Sequence, residues 1–332
     1  MAGRSVAVGL KIDKGHKSSE AAREWEELAD HWLLRLEADR SPATLALYRV
    51  AVKGTFLKWL ATTGWGGSLD GLTSEHLNMF VLQLKKEKSP STVTTYRAAL
   101  ANFWKWMKSQ GEVTEDLFKT RDIARVKIQE PVVPYLTPEQ LEALRKAARR
   151  EKDLAPRDVA LVSLLVGTGL RVSELAALDV DDVVMGSRKV IVRHGKGDKA
   201  REAAFGLTTA DDLSTYMRWR RKYLEGHTRR GRGGGSQPAL FVGRVGDRLT
   251  SGGIEARIGL LGKAAGIDGL HPHQLRHTHF SLAALEGKGD WELRRQGGWS
   301  RTSAMPLRYT ALVQQERALE EMRDFDPMRR RR

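Results

Sequence analysis

Two segments of the chain resemble each other, and each predicts the start of a helix. Residues 40–49 read Arg-Ser-Pro-Ala-Thr-Leu-Ala-Leu-Tyr-Arg, and residues 88–97 read Lys-Ser-Pro-Ser-Thr-Val-Thr-Thr-Tyr-Arg. In both, the serine can cap the helix and the proline fits its first turn, where the missing N–H needs no partner. Aromatic-rich stretches follow at 56–59 and 103–106. This repeat constrains the first part of the chain to an all-α module.

Two further helices complete this module. Apolar residues at helical spacing predict a helix over 20–37, and Leu-Thr-Ser-Glu-His-Leu at 72–77 predicts another capped start. We therefore assign residues 20–120 to a helical domain, preceded by a disordered basic tail at 1–19 and followed by a linker at 121–134.

Residues 135–325 are predicted to form a second domain, and 326–332 a basic tail. Helices are expected after Leu136, over 157–166 and after Ser251. Short strands at 190–193 and 202–205 flank a turn at 194–199, and the Gly- and Arg-rich residues 228–236 predict a flexible loop. The expected fold class is mainly α, with a small antiparallel β-sheet in the second domain.

The charge of the chain favours a polyanionic partner. Lys and Arg total 56 against 41 Asp and Glu, which gives a formal net charge of +15. Nucleic acid is the commonest partner for such a surface, while a basic soluble enzyme or a binder of anionic membranes stays open. The chain has no cysteine, which excludes disulfides, thiol nucleophiles and thiolate metal sites. Neither a membrane span nor a signal peptide is expected, so we predict a cytoplasmic protein.

Two glycine-containing motifs in the second half each contain a basic side chain that could bind an anion. Residues 167–175 read Gly-Thr-Gly-Leu-Arg-Val-Ser-Glu-Leu, with Arg171 at the start of a helix, and residues 195–197 read Gly-Lys-Gly in the predicted hairpin. The spacing fits neither a dinucleotide fingerprint nor a phosphate-binding Walker loop. Taken alone, each motif is more simply interpreted as a surface turn.

Four histidines lie within residues 271–279, in the sequence His-Pro-His-Gln-Leu-Arg-His-Thr-His. No carboxylate lies among them and an arginine would repel a metal ion, so we expect no metal site here. On a helix starting near His273, residues 273, 276 and 277 share one face, which favours an anion site built from His273 and Arg276. The later segments Gly-Gly-Trp-Ser at 297–300 and Leu-Arg-Tyr-Thr at 307–310 are each compatible with a turn or a core aromatic residue.

In order along the chain, these segments resemble the active-site signature of the tyrosine recombinase or phage integrase family. That signature is Gly-x-Gly-Leu-Arg-x-x-Glu-Leu, a hairpin lysine, His-x-x-Arg-His, a His or Trp after Gly, and then a Tyr. The resemblance covers residues 20–320, and the helical first half resembles the family's core-binding domain. It identifies six candidate catalytic residues: Arg171, Lys196, His273, Arg276, Trp299 and Tyr309. The interval between Trp299 and Tyr309 is ten residues, one more than expected for the family.

The resemblance, together with residue chemistry, implies a role for each group. Tyr309 would attack a DNA phosphodiester to give a 3′-phosphotyrosyl link and a free 5′-hydroxyl, while Arg171, Arg276 and Trp299 stabilise the phosphorane charge. Lys196 would protonate the leaving oxygen and His273 would accept or position the proton of the tyrosine. Glu174 would hold a catalytic side chain in place, and His277 is a further supporting residue. No metal or other cofactor is expected.

The resemblance also implies double-stranded DNA as the partner, a homo-tetramer assembled on two DNA sites, and a nucleoid location in the cytoplasm. Two alternatives stay open: a type IB topoisomerase that relaxes supercoils, and a catalytically inactive DNA-binding protein of the same fold. Candidate phosphate contacts are Lys53, Lys58, Arg97, Lys105 and Arg121, although any one of them alone is more simply part of a solvated helix face.

Overall fold

The computed structural model describes residues 17–65, 67–119, 123–124, 135–151, 153–193, 200–229 and 238–324. The chain divides into two compact units, Met1–Pro131 and Val132–Arg332. Of the predicted linker at 121–134, only Ile123 and Ala124 belong to the described residues, and the two basic tails lie almost wholly outside them.

The described part of the first unit consists of helices joined by turns and loops, and it contains no strand. Its helices are α1 (Lys17–Glu37), α2 (Pro42–Arg49), a π-helix (Val50–Leu57), α3 (Lys58–Thr62), α4 (Ser74–Glu87) and α5 (Pro90–Gln110). The Ser-Pro helix starts are confirmed: the Oγ atoms of Ser41 and Ser89 accept hydrogen bonds from the backbone N–H three residues later, each at 3.3 Å. The helices of this unit pack around a single apolar core.

Aromatic side chains from both repeated segments meet in that core. Trp32 lies with its ring centroid 5.1 Å from Phe103 and 5.5 Å from Tyr48, and Phe56 lies 6.0 Å from Trp104. Edge-to-face and offset contacts of this kind add to the free energy gained by removing the rings from water.

The π-helix changes which residues of its segment face the core. Its buried residues are Ala51, Val52, Phe56 and Leu57, so the burial repeats after five residues. This spacing matches the i→i+5 hydrogen bonding of a π-helix. The sequence pattern predicts only a helix here, and the wider turn is a finding of the structure.

The second unit carries the remaining helices and a three-stranded sheet. Its helices are α6 (Pro138–Arg149), α7 (Ala155–Thr168), α8 (Val172–Ala177), α9 (Leu207–Arg229), α10 (Ser251–Ala264), α11 (Pro272–Leu285), α12 (Asp290–Gly297) and α13 (Met305–Asp324). Its strands are β1 (Val183–Val184), β2 (Lys189–Val192) and β3 (Arg201–Ala204), in the order β1-β2-β3 and antiparallel throughout. The mainly α fold class with a small antiparallel sheet is thereby confirmed.

Two elements of this unit differ from the sequence-based expectation. Strand β1 was not predicted, and the segment expected to be a flexible loop at 228–236 begins inside α9, which includes Thr228 and Arg229. Residues 230–236 lie outside the described part. Helix α9 packs along α7 through buried residues such as Leu213 and Tyr216, so tertiary packing stabilises it despite its many polar residues.

Helix α7 leads directly to the functional region. It ends at Gly169, whose φ of +63° lets the chain turn sharply before α8. Proline occupies the first turn of α11, so Pro272 starts that helix, and His271 Nδ1 caps it by accepting from the N–H of Gln274 at 3.3 Å. In the described part of the chain, no helix has the length and hydropathy that crossing a bilayer requires.

Candidate active site

Arg171 stands at the first turn of α8 and is held there by Glu174. The backbone N–H of Arg171 donates to Glu174 Oε2 at 2.8 Å, and its Nη1 donates to Oε1 at 2.7 Å. The carboxylate is almost fully buried, while the guanidinium is partly exposed. The i,i+3 spacing on a helix start makes this reciprocal capping possible, and it leaves other N–H groups of Arg171 available to an anion.

Arg276, on α11, is buried to 3% exposure between backbone carbonyls and aromatic rings. Its Nη1 donates to the carbonyl of Gly169, and its Nη2 donates to that of Gly297 at 2.9 Å. Its guanidinium carbon lies 4.9 Å from the ring centroid of Phe280 and 5.0 Å from that of Trp299. Burial, and then the charge of Arg171, lower the pKa of Arg276 to about 10, so the group stays protonated at neutral pH.

Arg171, His273 and Arg276 line one open cleft of about 480 Å³. These three side chains can donate to an anion, and the rest of the wall comes from the ends of α8, α10 and α11. Those other lining residues are Leu170, Val172, Ser173, Glu255, His271 and Pro272. Two guanidinium groups and an imidazole on one wall match the non-bridging oxygens of a phosphodiester.

Tyr309, on the first turns of α13, is 5% exposed and its hydroxyl lies 2.8 Å from Nδ1 of His277. Its ring packs 5.5 Å from Phe280 and 5.8 Å from Trp299, measured between centroids. Burial raises the pKa of Tyr309 to about 12, against the opposing effect of Arg276. The phenol therefore needs a partner that removes its proton if it is to attack.

The imidazole within hydrogen-bond distance of that hydroxyl is His277, whereas the sequence-based expectation names His273 as the acceptor or positioner of the proton. Partial desolvation, and then the neighbouring His273, lower the pKa of His277 to about 4, so the ring is neutral at pH 7 and can accept a proton. The two imidazoles meet edge to face at 4.6 Å between centroids, and His273 lines the cleft. One helical turn separates the two rings, so the pattern His-x-x-Arg-His left both possible.

Trp299 packs against Phe280, Tyr309 and Arg276. It follows Gly298, whose φ of +64° ends α12, and its backbone N–H donates to the carbonyl of Arg294 at 3.1 Å. Helix α13 begins at Met305, which receives a cap from Ser303 Oγ at 3.3 Å. The ten-residue interval from Trp299 to Tyr309 still brings the two rings together.

The predicted DNA-contact residues that the structure describes differ in their surroundings. Lys53 forms an ion pair with Asp30 at 2.7 Å, and Arg97 packs over the ring of Phe118 at 5.6 Å. Lys58 and Lys105 are exposed on α3 and α5. Lys196 and Arg121 lie outside the described residues.

Sequence reasoning missed two residues that hold the site together. Arg201, at the start of β3, donates to Glu174 Oε2 at 2.7 Å. Gln296 donates from Nε2 to the carbonyls of Thr168 and Ala204, at 3.0 and 2.8 Å, and accepts from the N–H of Ala204 at 3.0 Å. Neither contact is local in sequence, and only the position of Arg201 shortly after the hairpin lysine could have drawn notice.

Besides His277, two of the four histidines have partners within the fold. His279 Nδ1 lies 2.8 Å from the carbonyl oxygen of Val166, and His271 caps α11. Within the described ranges, no three His, Asp or Glu side chains are grouped closely enough to hold a metal.

Gly169 should tolerate no side chain. A Cβ there would lie 2.7 Å from His279 Cδ2 and 2.8 Å from Phe280 Cε2, and the positive φ would add strain. We expect Gly169→Ala to lower the free energy of unfolding by about 1–2 kcal/mol for the backbone and a further ~1–3 kcal/mol for the overlap. The measurement is urea denaturation.

Gly266→Ala is the matched control for Gly169→Ala, because Gly266 has a φ of +74° and nothing within 4 Å of its added Cβ. It should show the backbone cost alone. Equal losses for the two variants would mean that the packing of Gly169 against α11 is unimportant.

Solved structures of known recombinases share this fold. The XerH site-specific recombinase bound to palindromic difH substrate matches with a TM-score of 0.70 and 18% identity, over 95% of this chain and 90% of XerH. A lambda integrase dimer bound to a COC′ core site matches with a TM-score of 0.66 and 17% identity, over 86% of this chain and 94% of the integrase.

The curated relatives match this chain over only part of their length. Tyrosine recombinase XerC of Bacillus subtilis (strain 168) is 33% identical over 192 residues, which are 57% of this chain and 60% of the relative. XerC of Corynebacterium efficiens (strain DSM 44549) is 35% identical over 187 residues, 56% of each chain. The chain thus spans about three fifths of the length of these relatives.

Two family models match the chain, one in each unit. The N-terminal SAM-like domain of phage integrases matches residues 29–124, and the phage integrase family model matches residues 134–316. The second match covers more than half of the chain and contains every residue of the site described above. The protein therefore belongs to the phage integrase family.

Proposed function

We propose that the protein is a site-specific DNA recombinase that cleaves and rejoins DNA through Tyr309. One observation carries the proposal: the hydroxyl of the buried Tyr309 lies 2.8 Å from Nδ1 of His277, beside a cleft lined by Arg171 and Arg276. Tyrosine recombinases are also what the curated relatives are named.

The first step is attack by the Tyr309 oxygen on the phosphorus of a DNA phosphodiester. The hydroxyl can donate to His277 Nδ1 when that ring carries its own proton on Nε2, so the phenolic proton passes to Nδ1 as the new P–O bond forms. The bond between phosphorus and the 5′-oxygen breaks. The products are a 3′-phosphotyrosyl DNA and a 5′-hydroxyl.

Charge on the phosphorane is stabilised by Arg171 and Arg276. Both line the cleft, and both are held by bonds that use only some of their N–H groups. Donors fixed in advance toward developing charge stabilise a transition state without reorganisation. The indole N–H of Trp299 is a further donor for the same oxygens.

Lys196 is proposed to protonate the 5′-oxygen as it leaves. The 3′-phosphotyrosyl link keeps the energy of the phosphodiester, so a 5′-hydroxyl from a second duplex can displace Tyr309 without another energy source. In that step the bond between phosphorus and the Tyr309 oxygen breaks, His277 returns its proton to the phenol, and the now neutral Lys196 takes the proton of the attacking hydroxyl.

The pH dependence of cleavage tests the role of His277. Its pKa of about 4 lies below the ~6.5 of a free imidazole, so the base stays neutral as the pH falls through 6.5. We expect the rate of adduct formation to be nearly flat from about pH 8 to 5.5 and to fall only below about pH 5. Single-turnover rates across this range provide the measurement.

His277→Asn keeps a possible hydrogen-bond acceptor but cannot take the proton, and should slow the step about 10²-fold or more. His31→Asn, an exposed change on α1, is the control. A wild-type rate that halves near pH 6.5 would assign the proton to a group with an ordinary imidazole pKa.

The same low pKa has a consequence for stability. Between about pH 6.5 and 4 the unfolded chain binds a proton at His277 that the folded protein does not, so stability falls as the pH falls through this window. An unfolding curve measured at each pH is therefore needed to separate a loss of cleavage rate from a loss of folded protein.

Double-stranded DNA is the proposed partner, and both units are proposed to contact it. The net charge of +15 and the exposed Lys58 and Lys105 support phosphate contacts. XerH and lambda integrase are bound to DNA in the structures named above. Exchange between two duplexes requires four cut strands, so we propose a tetramer assembled on two sites, at the nucleoid in the cytoplasm.

Covalent capture in cells tests this function. The protein is expressed with a library of candidate DNA sites, the cells are lysed in detergent, and DNA bound to protein is recovered and its ends sequenced. Ends that share an inverted repeat are the expected result. Ends without sequence preference would indicate a type IB topoisomerase, and specific binding without any adduct would indicate a DNA-binding protein without catalysis.

A further inference from the structure

Arg201 is a third arginine of this region, and it is more deeply placed than Arg171. Its side chain is 10% exposed, against 29% for Arg171. Its Nη2 donates to Oε2 of Glu174 at 2.7 Å, the same oxygen that receives the backbone N–H of Arg171. One buried carboxylate thus serves two guanidinium groups that come from different elements of the fold.

The Arg201 side chain is closely packed against the turn at Gly298. A Cβ on Gly298 would overlap its Nε, so the guanidinium packs directly on the glycine turn that precedes Trp299. Its Nε and Nη1 are buried, and no described residue accepts from them. Burial lowers the pKa of Arg201, an effect that Glu174 opposes.

Without Arg201, Glu174 would be freer to move. The pair of Arg171 with Glu174 joins neighbours on one short helix, and such i,i+3 pairs are weak when they stand alone. Arg171 itself bonds both oxygens of Glu174, and Arg201 adds a bond to Oε2 from a second element of the fold, strand β3. A carboxylate that is also bonded to the sheet limits the directions that the Arg171 guanidinium can take beside the cleft.

We propose that Arg201 is a positioning residue that acts through Glu174 to hold Arg171 against the phosphate. Its hydrogen bond goes to Glu174 and not to the hydroxyl of Tyr309, which lies against His277. The proposal rests on the proposed recombinase function, since it concerns the charge that Arg171 stabilises during cleavage.

Modified substrates separate this role from a general loss of structure. A methylphosphonate at the cut position lacks one charged oxygen, so it depends less on Arg171. A bridging sulfur at the 5′ position leaves as a thiolate, so it needs no acid from the Lys196 hairpin. Cleavage of both, and of the ordinary phosphodiester, is measured for the wild type and for Arg201→Gln.

Arg201→Gln is expected to slow cleavage of the phosphodiester about 10–100-fold, less than loss of a direct donor. The defect should shrink on the methylphosphonate and stay unchanged on the phosphorothiolate. Glu174→Gln should show the same profile, and the double variant should be no slower than the worse single one. Arg201→Lys should restore part of the rate.

Arg193→Gln is the matched control, because Arg193 flanks the same hairpin and pairs with Asp182 at 2.6 Å but is 55% exposed. It should cleave all three substrates as the wild type does. A defect of Arg201→Gln that disappears on the phosphorothiolate would overturn the proposal and assign Arg201 to the hairpin lysine. An equal defect on all three substrates would reduce Arg201 to a structural residue.

A binding measurement keeps the two proposals apart. Titration with inorganic phosphate, followed by NMR, should show weaker binding for Arg201→Gln than for Arg193→Gln. If the wild type forms no adduct but this difference is seen, the recombinase function fails and the role of Arg201 in positioning Arg171 stands. Equal phosphate binding by the two variants would overturn it.

Discussion

Replacement of Tyr309 by phenylalanine is expected to abolish the covalent adduct with DNA and to leave DNA affinity unchanged. The variant lacks the only oxygen that this site offers for the phosphotyrosyl bond, and the phenylalanine ring fits among Phe280 and Trp299 as the tyrosine ring does. Loss of the bond to His277 should lower stability by only about 1 kcal/mol. Adducts are measured on denaturing gels. The substrate is a nicked DNA duplex that contains a site identified by the covalent capture in cells.

Tyr223→Phe controls for the loss of a tyrosine hydroxyl bond. The hydroxyl of Tyr223 donates to the carbonyl of Arg244 at 2.8 Å, away from the cleft. This variant should form adducts at the wild-type rate. Adducts that persist in Tyr309→Phe would place the nucleophile elsewhere and remove the basis of the proposed chemistry.

Arg276→Gln is expected to slow cleavage about 10²–10³-fold, the effect of removing one fixed donor from a transition state. Two backbone carbonyls, those of Gly169 and Gly297, would also lose their partner, so a fall in stability of ~1–3 kcal/mol should accompany the kinetic loss. Single-turnover rates and urea midpoints measured on the same preparations separate the two effects.

Arg248→Gln is the control that matches this structural cost. Arg248 donates to the carbonyls of Ala176 and Leu178, at 3.0 and 3.1 Å, and pairs with Asp179, but it does not line the cleft. It should lose stability and keep the cleavage rate of its folded fraction. If both variants slow cleavage alike, Arg276 acts on the fold and not on the phosphate.

Helix starts were predictable because they depend on neighbours in sequence. Ser41, Ser89 and Thr137 each cap a helix through atoms three residues away, and the proline that follows each cap points to the same start. Strand β1 has two residues and carries no usable pattern. Helix α9 depends on its packing against α7, which a reading of local sequence does not contain.

In the site, too, the contacts between sequence neighbours were predictable and the contacts between distant residues were not. The pair of Arg171 with Glu174 follows from their spacing on a helix, and Pro272 at the start of α11 places His273 and Arg276 together. The contact of Tyr309 with His277 joins residues 32 apart, and that of Arg201 with Glu174 joins residues 27 apart. Only the fold decides which histidine meets the tyrosine and which arginine meets the carboxylate.

The π-helix at Val50–Leu57 makes the first unit tolerant of a change in chain length. In an α-helix, residues five apart point about 140° away from each other, so Ala51 and Phe56 could not both face the core. The wide turn accommodates one residue more than an α-helix would need for the same contacts. Gly54, exposed and with no close contact, is where that residue can be lost. A chain shortened by one residue there would regain ordinary α-helical hydrogen bonds and keep the same aromatic core, so the unit can lose this residue without refolding.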